Sequence, residues 1–294
     1  MALWFTKKGR EQRRLKLEAK LLDAEKARIA ALPRPKVGLA LSGGGAKGYA
    51  HLGVLKAFAE NGIEFDTVAG TSAGSLVGAL YAYGLPIEKM LEAGEKLDVK
   101  DIRDHTFLLN PSNPANIEAV VRDLIGDALF SDLKKPFAAV ATDLKTGQEI
   151  VLNMGSVPRS VSASCCVPVV FKPVVWGDWH LVDGGLVNVL PADIVRSMGA
   201  DRVVGVDINS ARGAGTESLK LWDVVKASFR IATGANAKMG ILQSDIVIRP
   251  DTKKFRSSKK EGYEQMIEEG YNAALDVIPQ VKALFEPIDT ANGG

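Results

Sequence analysis

Residues 70–74 read Gly70-Thr71-Ser72-Ala73-Gly74, and this short run constrains the chain more than any other. An apolar stretch at 65–69 reads as a strand, and another at 75–83 reads as a helix. A serine on so sharp a strand-to-helix turn is lifted clear of the sheet with its hydroxyl exposed. Glycines at 70 and 74 remove the Cβ atoms that would clash in the turn. The new helix points its first N–H groups at any anion that forms on the serine. The run therefore predicts a β–turn–α unit whose geometry suits a nucleophile.

Two more glycine turns accompany it. Gly43-Gly44-Gly45-Ala46-Lys47-Gly48 follows an apolar strand at 37–41 and opens a helix over 46–61, and Asp183-Gly184-Gly185 follows a strand at 179–182. Helix patterns also cover 11–32, 86–97, 116–125, 157–164, 192–198, 219–242 and 263–285. Residues 137–142 and 149–153 read as strand–turn–strand, and 202–206 and 246–248 as further strands. Strands alternating with helices predict the α/β class, with a mostly parallel sheet covered on both faces.

The 294 residues are 46% hydrophobic and 24% charged, an ordinary globular balance with enough chain for a large core. Cys165 and Cys166 are sequence neighbours, which argues for a reducing compartment and small, semi-buried side chains rather than a disulfide framework. No Cys/His spacing suggests zinc. Leu3-Trp4-Phe5 is too short for the apolar region of a secretory signal. The uncharged run 68–87 contains the serine turn, Gly78, Gly84 and Pro86, so it predicts a helix buried against a sheet rather than a membrane span.

Charge divides the chain. Residues 1–36 hold eleven Lys/Arg against four Asp/Glu, while the whole chain nets +2, so the remainder is acidic. The basic segment is open to two readings: contact of residues 1–30 with an anionic membrane surface, or a solvated helix. Confinement of the basic excess to this segment argues against nucleic-acid binding. The expected division is a basic helical extension at 1–35, one domain at 36–286 and a tail at 287–294, located in the cytoplasm or peripherally on the inner face of a membrane.

Taken in order, G-G-G-x-[KR]-G, G-x-S-x-G and D-G-[GA] resemble the motifs of the patatin-like phospholipase family. The resemblance runs over about residues 36–280. It takes in Asp183-Gly184-Gly185-Leu186-Val187-Asn188, Ala163-Ser164-Cys165-Cys166-Val167-Pro168 and Ile248-Arg249-Pro250-Asp251. It implies a three-layer α/β/α sandwich and hydrolysis of phospholipid or lysophospholipid esters by a Ser–Asp dyad. It implies no catalytic histidine, cofactor or metal. Val189 departs from the pattern, where such proteins often carry a second Asn, and so does the pair Cys165-Cys166.

The residues fit that chemistry. Ester hydrolysis needs a nucleophile, a base and donors for the oxyanion. Ser72 is the expected nucleophile and Asp183 the base. A free Asp, with a pKa of about 3.9, is a poor base, and burial beside an acyl chain raises it. Gly184 and Gly185 let the backbone turn behind the carboxylate. Backbone N–H groups of Gly43, Gly44 and Gly45 are the expected oxyanion hole, with Ala46 and Gly48 completing the turn. Lys47 either attracts a lipid phosphate or covers the turn. His51 reads as a packed helix residue and His105 as solvated. His180 precedes Asp183 on one strand, against the Ser–acid–His order of α/β-hydrolases.

Two rival readings come from other classes. Gly43-x-Gly45-x-x-Gly48 with Asp66 downstream fits a dinucleotide fingerprint, although Asp66 lies at the start of its strand rather than the end. A non-catalytic lipid-binding protein is the other. Leu108, Leu109, Phe130 and Phe171 are candidates for an acyl channel or for ordinary core.

Overall fold

The computed structural model describes residues 7–30, 32–97, 111–209 and 220–287. Leu3-Trp4-Phe5, His105, Leu108, Leu109 and all of the tail beyond residue 287 lie outside them. Among the described residues, α1 (Lys7–Ala30) precedes β1 (Val37–Leu41), α2 (Tyr49–Glu60), β2 (Thr67–Thr71), α3 (Ala73–Tyr83), α4 (Ile87–Lys96) and α5 (Ala115–Ile125). Then come β3 (Phe137–Asp143), β4 (Glu149–Leu152), α6 (Val157–Ser164), β5 (Val174–Trp176), β6 (Trp179–Asp183), α7 (Ala192–Ser197) and β7 (Arg202–Val206). α8 (Leu221–Gln243), β8 (Ile246–Ile248), α9 (Tyr263–Leu275) and α10 (Ile278–Ala283) follow.

The strands form one eight-stranded sheet in the order β5-β6-β3-β2-β1-β7-β8, with β4 also paired to β3. Pairs β2–β1, β1–β7, β7–β8 and β2–β3 are parallel, whereas β4 and β6 run antiparallel to β3. Alternation along β1 sorts its side chains between two cores. Leu39 and Leu41 join Leu52, Leu55 and Phe58 of α2 and Val77 of α3 on one face. Ala40 joins Val195 of α7 and Ala237 of α8 on the other. Helices thus cover both faces, giving the three-layer α/β/α sandwich.

Register positions the site. Leu41 pairs with Gly70, so the glycine turn and the serine turn leave the sheet from the same edge. Thr71 pairs with Val140, and the next residue of β3, Ala141, pairs with Asp183. The C-terminal edge of a parallel sheet is where open α/β folds place their ligands.

Several boundaries differ from expectation. The helix expected from 46 begins as a 3-10 turn, Gly45–Gly48, before α2. The strand expected at 65–69 is shifted to Thr67–Thr71, because the Phe65 N–H is taken by the Tyr81 hydroxyl at 3.0 Å. The helix expected over 263–285 is two, with Pro279 in the first turn of α10, where a missing N–H costs least. β5 was not anticipated; it is three residues long and pairs only with β6. The uncharged run 68–87 is strand, turn and helix, and no helix among the described residues is long and apolar enough to cross a membrane.

Candidate active site

Ser72 sits between β2 and α3 with φ 52 and ψ −125, a strained conformation for a residue with a side chain. The turn closes because a Cβ on Gly70 would overlap the Gly74 carbonyl and a Cβ on Gly74 would overlap that of Leu41. Buried Ser164 fixes the backbone: its Oγ accepts the Ser72 N–H at 2.9 Å and donates to the Val140 carbonyl at 2.5 Å.

Ser72 Oγ donates to Asp183 Oδ2 at 2.6 Å, across 111 residues of chain. Asp183 ends β6, is almost fully buried, and accepts the Gly185 N–H on Oδ1 at 2.8 Å. Its own N–H donates to the Cys166 carbonyl at 2.9 Å, and Thr142 Oγ1 donates to its carbonyl at 3.0 Å. Burial pushes the carboxyl up to about 6, against the pull of the Ser72 and Gly185 hydrogen bonds.

The glycine turn packs against the serine: a Cβ on Gly43 would lie 3.2 Å from Ser72 Cβ, and Gly48 faces Ala73. Its amides are not equivalent. The Gly43 N–H donates to the Val189 carbonyl at 2.9 Å and that of Ala46 to the Ser257 carbonyl at 2.8 Å. The carbonyl of Val189, in the loop after the aspartate turn, thus occupies the Gly43 amide, one of the three expected oxyanion donors. The N–H groups of Gly44, Gly45 and Ala73 donate to no described residue. Gly184 and Gly185 form a 3-10 turn behind the carboxylate.

Lys47 is nine-tenths buried, and its ammonium makes no hydrogen bond or ion pair with a described residue. Burial and then Arg230 hold it below the ordinary lysine range, with Asp207 and Asp251 opposing. His51 is fully buried with Nε2 2.8 Å from the Ser42 carbonyl, and burial pushes it down to about 4, so it is neutral. The His180 N–H donates to Asp143, and neither described histidine bonds to Ser72 or Asp183. Cys165 lies beside Ser75, Sγ to Oγ 3.8 Å, and burial pushes its thiol up to about 12. It therefore remains protonated at neutral pH.

Ser72 lines a cavity of about 530 Å³ whose walls are largely apolar side chains, among them Leu76, Leu80, Leu124 and Phe171. Phe130 is not among its walls and stacks on Phe137 instead, with ring centroids 5.8 Å apart. Asp66 lies at the far end of β2 from the serine turn. Its carboxylate accepts the Val37 N–H at 2.7 Å and pairs with Arg34 at 2.5 Å. It is thus unavailable to a ribose beside the glycine turn.

Sequence reading did not single out Asn236. In the middle of α8, its Nδ2 donates to the Gly185 carbonyl at 2.8 Å and its Oδ1 accepts the Val189 N–H at 2.9 Å. It ties the aspartate turn to the segment that holds Gly43. A carboxamide in an otherwise apolar helix face was the available signal.

A family model described as "Patatin-like phospholipase" matches residues 39–196. An uncharacterized NTE family protein of Mycobacterium tuberculosis is 33% identical over 191 residues, covering 63% of this chain and 52% of that protein. The neuropathy target esterase of Drosophila melanogaster is 33% identical over 183 residues, covering 59% of this chain and 13% of that protein. The chain thus spans about half the length of the mycobacterial relative. The crystal structure of VipD from Legionella pneumophila shares the fold, with a TM-score of 0.62 at 16% identity over 84% of this chain and 67% of that one.

Proposed function

The chain belongs to the patatin-like phospholipase family, and from that membership we propose that it hydrolyses carboxylic esters of lipids through Ser72 and Asp183. The observation that carries this reading is the 2.6 Å hydrogen bond to Asp183 Oδ2 from the Oγ of Ser72, a residue in the wall of a largely apolar cavity. The substrate class is phospholipid or lysophospholipid, and residues 36–286 form the catalytic unit with 1–35 as an extension.

Ser72 Oγ attacks the ester carbonyl carbon while its proton passes to Asp183 Oδ2. A carboxyl near 6 is ionised at neutral pH and is a stronger base than an ordinary aspartate. The carbonyl oxygen, now an oxyanion, receives the N–H groups of Gly44, Gly45 and Ala73, with the start of α3 adding its dipole. The C–O bond of the alcohol breaks, and the departing oxygen takes the proton from Asp183. Water then adds to the acyl-serine, giving its proton to Asp183, and the fatty acid leaves as Ser72 recovers the proton. The acyl chain occupies the apolar cavity throughout.

Hydrolysis of a p-nitrophenyl ester tests this. Ser72→Ala and Asp183→Asn should each lower kcat by on the order of a thousandfold while the fold is retained by circular dichroism. An Asp183→Asn enzyme of near wild-type rate would remove the aspartate from the mechanism. Mass spectrometry of products from a mixed lipid extract identifies the natural ester.

A further inference from the structure

The apolar cavity at Ser72 has a neighbour. A second cavity of about 460 Å³ lies against the same helices, and among the described residues Met90 is the one side chain that lines both. The two follow each other along three helices. α2 gives Leu52 to the first and Leu55 to the second, α3 gives Leu80 and then Tyr81, and α4 gives Gly94 and then Ile87. The two cavities thus lie along the same three helices, with Met90 in the wall of each. The second cavity is also lined by Lys134 and by Glu64 and Lys135, the last two pairing at 3.1 Å.

Met90 is suited to be a movable partition. It is buried, 2% exposed, in the wall that the two cavities share. It is unbranched, and its three side-chain torsions offer several rotamers that need no movement of the helix. The helix itself is held: the Tyr49 hydroxyl lies 3.0 Å from the carbonyl of Gly94 and 3.0 Å from that of Leu97, sharing its one proton between them.

We propose that Met90 sets the acyl-chain length this enzyme accepts, closing the first cavity behind medium chains and swinging aside for longer ones, which then thread into the second cavity as the two join into one channel. This inference rests on the assignment of the first cavity to the acyl chain.

Two measurements test it. The first is the ratio of kcat/KM for octadecanoyl over octanoyl p-nitrophenyl esters. Met90→Ala removes the partition and should raise that ratio about tenfold or more. Met90→Ile, whose β-branched side chain is stiff in a helix, should lower it by a similar factor. The second is calorimetric binding of octadecanoic and octanoic acids to the same proteins, which needs no turnover. A ratio unchanged in both variants, or in Met90→Ile alone if Met90→Ala does not fold, overturns the role of Met90. A wild type that cleaves neither ester overturns the hydrolase reading instead, and the fatty-acid binding ratio still decides on Met90.

Discussion

Asp183 is held where its charge is least welcome. Its carboxyl titrates at about 6 because burial removes water from the ionised form. Between the ordinary aspartate value and 6, the folded chain keeps a proton that the unfolded chain has released. Stability therefore falls as pH rises through that window, and above it the full penalty stands, on the order of 3 kcal/mol. Asp183→Asn should accordingly be more stable than wild type near pH 7, with the advantage vanishing below about pH 4. Urea titrations at the two pH values check this. In the wild type, kcat/KM for a neutral ester should rise along a one-proton limb with its midpoint near about 6. A limb near the ordinary aspartate value would mean that burial is not what tunes the base. At this scale the turns that bring Ser72 and Asp183 within hydrogen-bond distance were legible because glycine-flanked turns advertise themselves in sequence. The partners of single amides were not. That Gly43 gives its N–H to Val189 depends on a segment nearly 150 residues away, and no local pattern encodes it.

Among the elements, α6 does more than fill space. Its last residue, Ser164, holds the Ser72 amide, and two residues later the Cys166 carbonyl accepts the Asp183 N–H. One helix end thus sets the spacing between Ser72 and Asp183. Ser164→Ala should free the Ser72 backbone and lower kcat by about 10- to 100-fold with KM little changed. Ser164→Thr should restore much of the rate, since the hydroxyl is kept. A loss in Ser164→Ala that appears in stability alone, with kcat intact, would reduce Ser164 to a core residue. The span of α6, 157–164, was read correctly from sequence because Ser156 caps it, accepting the Arg159 N–H at 3.3 Å, and Pro158 stands in the first turn. β5 was not legible because three residues carry no period, and Pro173 just ahead of it argues for a loop. The break between α9 and α10 escaped for the opposite reason. Apolar spacing runs on through Val277 and Ile278, and Pro279 marks a helix start as readily as a helix end.

Over the whole molecule, charge and apolar surface are distributed unevenly. Residues 1–36 carry the positive excess and the rest is acidic. Along α1, Leu15, Leu17, Leu21 and Leu22 are each more than half exposed. Exposed leucines among Lys and Arg suit the boundary of an anionic bilayer, where apolar burial and attraction to lipid charge add. The site itself needs no part of α1, since Ser72, Asp183 and the cavity walls all come from residue 45 onward. Deleting residues 1–30 should therefore separate two properties. Binding to phosphatidylserine vesicles in a sedimentation assay should drop about tenfold at low salt, and the wild-type binding should itself weaken as ionic strength rises. Hydrolysis of a soluble short-chain ester by the truncated protein should match that of the full chain. Unchanged vesicle binding would make α1 a solvated helix and move membrane contact to the body. Lost ester hydrolysis in a folded truncation would mean that α1 supports the catalytic unit, and the division of the chain at about residue 35 would have to be redrawn.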